Sequence, residues 1–205
     1  MGTRSDSAWP TAYTDPMTLA ERLYTPEELL ELEDGEAFEL DDGVLREVPV
    51  GFKSEAAAIT LIARLLVFLE KPGNGIGQLV PPGVGLQIFP GRPRRVPRAD
   101  GGYISFGRLP RGGTPDGFLT VAPELLIESI SPGDHMEYMN RKIAEYLSAG
   151  VSLVWVLFPL TRTAHIYRAE GTVTIIPSDG ALDGEDVIPG FRCALADIMP
   201  PAETA

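Results

Sequence analysis

The chain has 205 residues, 44% of them hydrophobic, and carries 17 Lys and Arg against 29 Asp and Glu for a net charge of −12. That length suits one domain with a real core, burying roughly 70% of the surface its unfolded chain would expose, and the composition excludes both a disordered and a membrane-embedded chain. The acidic balance counts against a general nucleic-acid binder, which normally carries a basic footprint.

No apolar run approaches the roughly 20 residues a spanning helix needs. The start, Met1-Gly2-Thr3-Arg4-Ser5-Asp6, lacks an apolar signal region, so a cytoplasmic location and no membrane partner are expected. The single cysteine, Cys193, rules out an internal disulfide. One Cys and two distant histidines, His135 and His165, also argue against a tetrahedral zinc site. Any metal is then expected to be a hard, oxygen-liganded ion such as Mg²⁺ or Mn²⁺.

Residues 1–22 show no clean periodicity and read as a loose N-terminal arm, ahead of a single domain over 23–200. Thr25-Pro26-Glu27-Glu28 is a helix start, with Thr25 as N-cap, Pro26 in the first position and Glu28 closing a capping box. That helix ends near Glu33-Asp34-Gly35. Residues 36–40 and 44–48 flank Asp41-Asp42-Gly43, a hairpin signal. From Ser54 to Glu70, Ile59, Ile62, Leu65, Leu66 and Leu69 recur at helical spacing, and Lys71-Pro72-Gly73 stops the helix. Gly73, Gly75 and Gly77 invite a phosphate-loop reading, but they follow a helix and precede no Gly-Lys-Ser/Thr, so the motif fails.

Leu86-Gln87-Ile88-Phe89 and Gly102-Tyr103-Ile104-Ser105 read as strands, followed by a Gly- and Pro-rich loop from Phe106 to Phe118. Between Gly85 and Gly112 lie Arg92, Arg94, Arg95, Arg98, Arg108 and Arg111 against one acid, Asp100. This is either a local patch for phosphate or a solvated, arginine-rich loop. Residues 123–130 then form a short apolar strand, Asp134 opens a helix, and 151–158 is a second apolar strand. These lengths make a βαβ unit. Arg162–Arg168 and Thr172–Ile176 alternate as a further hairpin, and Ala194–Met199 reads as a short closing helix. Near Ile166 and Tyr167 that hairpin would present an edge to a second copy, which favours a homodimer. The expected fold class is α/β: an N-terminal helix and hairpin, then a mixed sheet flanked by helices with a central βαβ crossover. No Gly-x-Ser-x-Gly elbow occurs, which disfavours a serine hydrolase.

The anomaly is Glu128. It shares a face with Leu126 and Ile130 on a strand expected to be covered on both sides, where an ionised carboxylate is costly unless paired or bound to metal. Asp100 stands at the entry to the Tyr103 strand, either as a turn residue before Gly101-Gly102 or as a second carboxylate near Glu128. Two carboxylates at close range repel strongly in low dielectric, and a divalent cation relieves them. On the following helix, advancing about 100° per residue, Met136, Met139, Ile143 and Leu147 form the apolar stripe, and His135, Lys142 and Tyr146 a column at its edge. Arg141 and Glu145 fall on the far, solvent side. Lys142 either reaches the Glu128 face or snorkels over apolar surface. Two carboxylates and a lysine on one sheet face suit metal-assisted phosphoryl chemistry.

The run Pro123-Glu-Leu-Leu-Ile-Glu128-Ser-Ile-Ser131-Pro132, then Lys142-Ile-Ala-Glu-Tyr146-Leu-Ser-Ala-Gly150-Val151, then Val154-Trp155-Val156, resembles the Uma-type (Uma-two) restriction endonuclease family of the PD-(D/E)xK nuclease superfamily. Phe38-Glu39-Leu40, Val96-Pro97-Arg98-Ala99-Asp100 and Ile188-Pro189-Gly190-Phe191 fit it too, so the resemblance spans about Tyr24 to Met199. It implies a restriction-endonuclease-like core. Asp100 and Glu128 would hold Mg²⁺ or Mn²⁺, Lys142 would be the catalytic lysine, Glu39 a supporting acid, and DNA the substrate. Tyr146 and His135 would lie at the periphery of the site. The superfamily lysine often follows the acid by two residues, a place taken here by Ile130, and the helix lysine takes over.

Three positions depart from the pattern. Ala99 replaces the proline usually preceding the first Asp, Phe158 an Asp after the tryptophan strand, and Lys53-Ser54 a region where a His is common. The expectation is therefore a Mg²⁺- or Mn²⁺-dependent endonuclease-type phosphodiesterase acting on DNA. The alternatives are a non-catalytic binding or assembly module that keeps the fold, and a metal hydrolase of small phosphoesters.

Overall fold

The computed structural model describes residues 22–109, 113 and 115–201. The N-terminal arm expected over 1–22 lies, apart from Arg22, outside the described residues, as does part of the loop between Phe106 and Phe118.

Helix α1 (Pro26–Glu31) begins where the capping box places it. The Glu28 N–H donates to Thr25 Oγ1 at 3.3 Å, and the Thr25 N–H donates to the Glu28 carboxylate at 2.9 Å. This satisfies two amides that the first helical turn leaves free. A 3-10 turn (Gly35–Ala37) leads into β1 (Phe38–Asp41) and β2 (Val44–Glu47), an antiparallel hairpin. Its two-residue turn has Asp42 at φ 53° and Gly43 at φ 96°, the left-handed pair that matches strand twist and favours Asp-Gly.

Helix α2 (Phe52–Leu69) buries Ala57, Leu61, Ile62, Leu65 and Leu69. Ile59 and Leu66, expected in the buried stripe, stand exposed. The helix carries only Lys53, Glu55 and Arg64 as charges over 18 residues, so apolar spacing alone does not choose its inner face.

The main sheet has the order β3-β4-β5-β6-β7-β8, formed by β3 (Gly77–Val80), β4 (Gly101–Ser105), β5 (Leu125–Ser129), β6 (Leu153–Phe158), β7 (Thr163–Arg168) and β8 (Val173–Ile176). Strands β5 and β6 run parallel, joined by α3 (Met136–Ser148), and the other pairs are antiparallel. The βαβ unit and the late hairpin stand as expected. Two short strands, β9 (Ala181–Asp183) and β10 (Arg192–Ala194), pair separately.

Four sequence expectations need correction. Strand β3 lies in the glycine-rich stretch and was not anticipated, because Gly77 hides its strand character. A Cβ there would meet Ile104 O at 2.4 Å, so only glycine permits this pairing. Leu86–Phe89 is no strand and touches its neighbourhood through the isolated bridges Gly85↔Arg98 and Leu86↔Leu119. The closing helix shrinks to a 3-10 turn, Leu195–Asp197, because residues 192–194 pair as β10. Strand β7 is paired on both sides and is no edge; β8 takes that position.

Two apolar layers enclose the sheet. On one side Leu125, Ile127, Trp155 and Leu157 pack against Leu61 and Leu65 of α2. On the other Leu126, Val154 and Val156 pack against Met139, Ile143 and Tyr146 of α3. Each large side chain so buried contributes on the order of 1.5–3 kcal/mol. Glu128 sits within the second layer. Among the described residues no helix is long and apolar enough to cross a membrane.

Candidate functional site

Strand alternation puts Glu128 on the α3 side of β5, beside Leu126 and opposite Val156 of β6. Only 3% of Glu128 is exposed, and only 4% of Lys142 above it. Lys142 Nζ donates to Glu128 Oε2 at 3.1 Å and lies 3.1 Å from Oε1. The Tyr146 hydroxyl donates to Glu128 Oε1 at 2.9 Å. Lys142 also donates to the Arg98 carbonyl at 2.6 Å and sits 2.7 Å from Glu39 Oε1, contributed by β1. Lys142 and Tyr146 thus leave the same helical edge, one turn apart, and both reach the strand carboxylate.

Asp100 precedes β4. Its N–H donates to the Ile127 carbonyl at 3.0 Å, and its Oδ2 accepts the Ser129 N–H at 2.6 Å. The antiparallel register Gly101↔Ile127 carries it to the end of β5, beside the residue after Glu128. Asp100, Glu128, Lys142 and Glu39 line one cavity of about 90 Å³, with His135 and Tyr138 also in its wall. His135 is exposed at the N-cap of α3, and Tyr146 lies beneath the cavity, behind Glu128.

Burial dominates the electrostatics. It pushes the Glu128 carboxyl up to about 8, against the pull of Lys142, with Asp100 and Glu39 adding repulsion. Burial likewise raises Asp100 to about 6, again against Lys142. Glu39 moves the other way. Burial opposes its ionisation too, but Lys142, Tyr138 and the Arg98 N–H together hold it below the usual carboxylate range. Lys142 is held above its ordinary value by Glu128 and Glu39 in spite of burial, so its ammonium is retained. The stable charge pair is therefore Lys142 with Glu39, and Glu128 holds a proton near neutrality.

Beside the anticipated residues stands a network that sequence reasoning missed. Arg95 is fully buried, and its Nε donates to Glu145 Oε2 at 2.8 Å. Its Nη1 donates to the Tyr138 hydroxyl at 3.0 Å, and that hydroxyl in turn donates to Glu39 Oε2. Glu145, expected toward solvent, instead pairs with Arg92 and Arg95.

Where it is described, much of the arginine segment is engaged within the protein, while Arg94 and Arg108 stand exposed. Arg92 bonds Asp42 at 2.6 Å, Arg98 bonds the carbonyls of Phe38 and Gly35, and Arg108 those of Ala122 and Gly150. The signal available in the sequence was complementarity: Glu39, Asp41 and Asp42 cluster on the hairpin as the arginines do on the later loop.

Among the described residues no three His, Cys, Asp or Glu side chains gather to hold one ion. Asp100 and Glu128 still fit a hard divalent cation as a pair. Both are oxygen donors at one cavity, and each is raised by burial and repulsion that a cation would relieve.

A six-stranded mixed sheet with one parallel crossover, with one carboxylate on β5, another just ahead of the adjacent β4 and a lysine from the crossover helix, defines a restriction-endonuclease-like α/β class. The chain belongs to the Uma2 family, described as "Putative restriction endonuclease", whose model matches residues 26–196. A crystal structure of a "putative nuclease belonging to DUF820" from Anabaena variabilis ATCC 29413 is similar in fold. It superposes with a TM-score of 0.71 over 85% of this chain and 96% of that one, at 19% identity. No curated protein matches the chain.

Proposed function

We propose that the protein is a Mg²⁺- or Mn²⁺-dependent phosphodiesterase of the endonuclease type acting on DNA. The observation that carries this reading is the meeting of Asp100, Glu128 and Lys142 at one cavity, with Lys142 Nζ 3.1 Å from Glu128. Membership of the Uma2 family supports it. Asp100 and Glu128 would hold the cation, which when bound polarises a phosphoryl oxygen and lowers the pKa of its water.

The chain's own groups divide the remaining work. Asp100 is fixed by the Ser129 N–H, so one carboxylate oxygen keeps a set position at the cavity. Glu39 anchors Lys142 at 2.7 Å and keeps its ammonium charged. That ammonium orients a nucleophilic water or balances charge developing on the phosphoryl group. Tyr146 holds Glu128 from below. His135 stands at the cavity wall.

The second reading, a non-catalytic module that keeps the fold, is favoured by one observation: among the described residues only a pair of ligands, not a cage, serves a cation. Calorimetric titration with Mn²⁺ separates the two, run beside Asp100→Ala and Glu128→Ala and followed by incubation with plasmid DNA. Saturable binding lost in both variants, with Mn²⁺-dependent nicking by the wild type, supports the nuclease. Binding and nicking unchanged in both variants would sink the site assignment.

A further inference from the structure

A groove of about 550 Å³ adjoins the site cavity and shares Arg46, His135 and Tyr138 with it; Met136, Glu137 and Arg141 complete its wall. Both arginines of that wall are about half exposed, yet neither swings freely. Arg46 Nε donates to Asp41 Oδ2 at 2.8 Å, and Arg141 Nη2 donates to the same oxygen at 2.6 Å. Their guanidinium carbons stand 4.9 and 5.1 Å from the centre of the Tyr138 ring. The β1–β2 register sets Arg46 opposite Glu39, and Arg141 directly precedes Lys142, so the pair borders the residues proposed for catalysis.

A guanidinium carries five N–H donors. Asp41 takes one from each arginine, and among the described residues no other hydrogen bond or carboxylate engages either side chain. Asp41 does not need both of them. Arg92 and Arg95 also lie against its other oxygen, at 3.4 and 3.9 Å. These four arginines face three carboxylates, Asp41, Asp42 and Glu145, while Glu39 is held by Lys142. This corner of an acidic protein therefore carries an excess of positive charge, with Glu137 as the one anion in the groove wall, paired to neither arginine among the described contacts. Two planar guanidiniums fixed on one carboxylate, each with unused N–H groups, suit a phosphate, whose oxygens accept forked hydrogen bonds. Because Asp41 and Tyr138 already hold them, little side-chain freedom is lost when an anion binds.

From these observations we infer that Arg46 and Arg141 form a subsite for the nucleic-acid backbone phosphate next to the one cleaved. The inference rests on the nuclease reading for the identity of the neighbouring cavity. The scissile phosphodiester lies at Asp100 and Glu128 while the adjoining phosphate spans the two guanidiniums. Asp41 acts through them as a positioning residue. A contact of this kind fixes the register of the strand at the cavity and reads no base, so it orients the substrate without selecting a sequence.

The test is fluorescence anisotropy with a fluorescein-labelled DNA duplex of roughly 20 base pairs, in Ca²⁺ and from about 50 to 300 mM KCl. Mn²⁺-dependent cleavage and melting temperature are measured separately. Arg46→Ala and Arg141→Ala should each weaken binding by about three- to tenfold and lower the slope of log affinity against log salt by about one. Arg46→Lys and Arg141→Lys keep a cation beside Asp41 and should keep the slope. Glu137→Gln should tighten binding by removing the anion from the groove wall. A residue that only braces the hairpin against α3 would lower the melting temperature and leave the slope alone. An unchanged slope in both alanine variants therefore overturns the inference, whatever their melting temperatures. So does a wild type that ignores the duplex, even if inorganic phosphate raises its melting temperature and not that of the alanine variants, which would make the groove a site for free phosphate. Arginine-dependent binding without cleavage in Mn²⁺ would sink the nuclease reading and leave the subsite standing. Cleavage lost in Asp100→Ala, with a salt slope indifferent to Arg46 and Arg141, does the reverse.

Discussion

Lys142 and Glu128 face each other across 3.1 Å with both side chains almost wholly buried, one from the crossover helix and one from the strand before it. A buried charge pair contributes little net stability, but removing Lys142 would leave the buried Glu39 carboxylate without its partner, at a cost of about 3–5 kcal/mol. In this cluster the ammonium serves three carboxylates at once, Glu39, Glu128 and Asp100.

Lys142→Met is therefore expected to destabilise the protein more at pH 8 than at pH 5.5, because Lys142 is what holds the buried Glu39 carboxyl below the usual carboxylate range. The same variant should bind Mn²⁺ at least as tightly as the wild type, because the ammonium competes with a cation for Glu128. It should nevertheless cleave no DNA. Differential scanning at the two pH values, calorimetric titration with Mn²⁺ and incubation with plasmid DNA check the three outcomes, and weaker Mn²⁺ binding would show that Lys142 does not compete.

The pH dependence follows from two raised carboxyls. A carboxyl whose folded value is raised adds stability that is fully present below its unfolded value, near 4, and is lost as pH rises through the folded value. For Asp100 and Glu128 those folded values are about 6 and about 8. The metal-free protein should thus melt at falling temperature between pH 5 and 9. Mn²⁺ affinity should rise over the same window as the ligands ionise. Glu128→Gln should flatten the melting profile, with a gain of about 1–2 kcal/mol at pH 9, or about 2–8 °C, while abolishing tight Mn²⁺ binding. A melting temperature that climbs with pH would contradict the raised values.

Tyr138 is the hinge of the missed network, since its hydroxyl accepts from Arg95 and donates to Glu39. Tyr138→Phe leaves a buried guanidinium and a buried carboxylate each short of a partner, at a cost of about 1–3 kcal/mol. The melting temperature should fall accordingly, by about 2–10 °C. Mn²⁺ stoichiometry should not change, because Asp100 and Glu128 do not touch Tyr138. Loss of the metal site in this variant would place Tyr138 among its direct supports.

Much of the fold was legible because its signals are local. The capping box at Thr25, the Asp42-Gly43 turn and the βαβ crossover each depend on neighbours in sequence. Glu128 was legible as an anomaly, a charge in an apolar strand, and Lys142 followed from helical spacing. What escaped depends on distant partners. Nothing near Arg95 in the chain shows that it is buried against Glu145, 50 residues on, or that Tyr138 lies 99 residues from its acceptor Glu39. Ile59 and Leu66 misled for a related reason: α2 is apolar nearly all round, and only the sheet decides which side it covers.

The glycines at 73 and 77 belong to a stretch that superficially resembles a phosphate loop, and each is required for a separate mechanical reason. Gly73 has open space around it but a φ of 92°, so Gly73→Ala should cost about 1–2 kcal/mol through left-handed strain alone. Gly77 has no positive φ, yet a Cβ there would sit 2.4 Å from Ile104 O and 2.6 Å from the Tyr103 ring. Backbone and a buried ring cannot give way cheaply, so Gly77→Ala should force β3 off the sheet edge and cost more than Gly73→Ala. Urea unfolding of the two variants checks the order. Hydrogen exchange should show lost protection at Leu79 and Ile104 in Gly77→Ala only, since the β3–β4 ladder joins those residues' strands. A phosphate loop would instead make both substitutions weaken nucleotide binding, and neither is expected to do so.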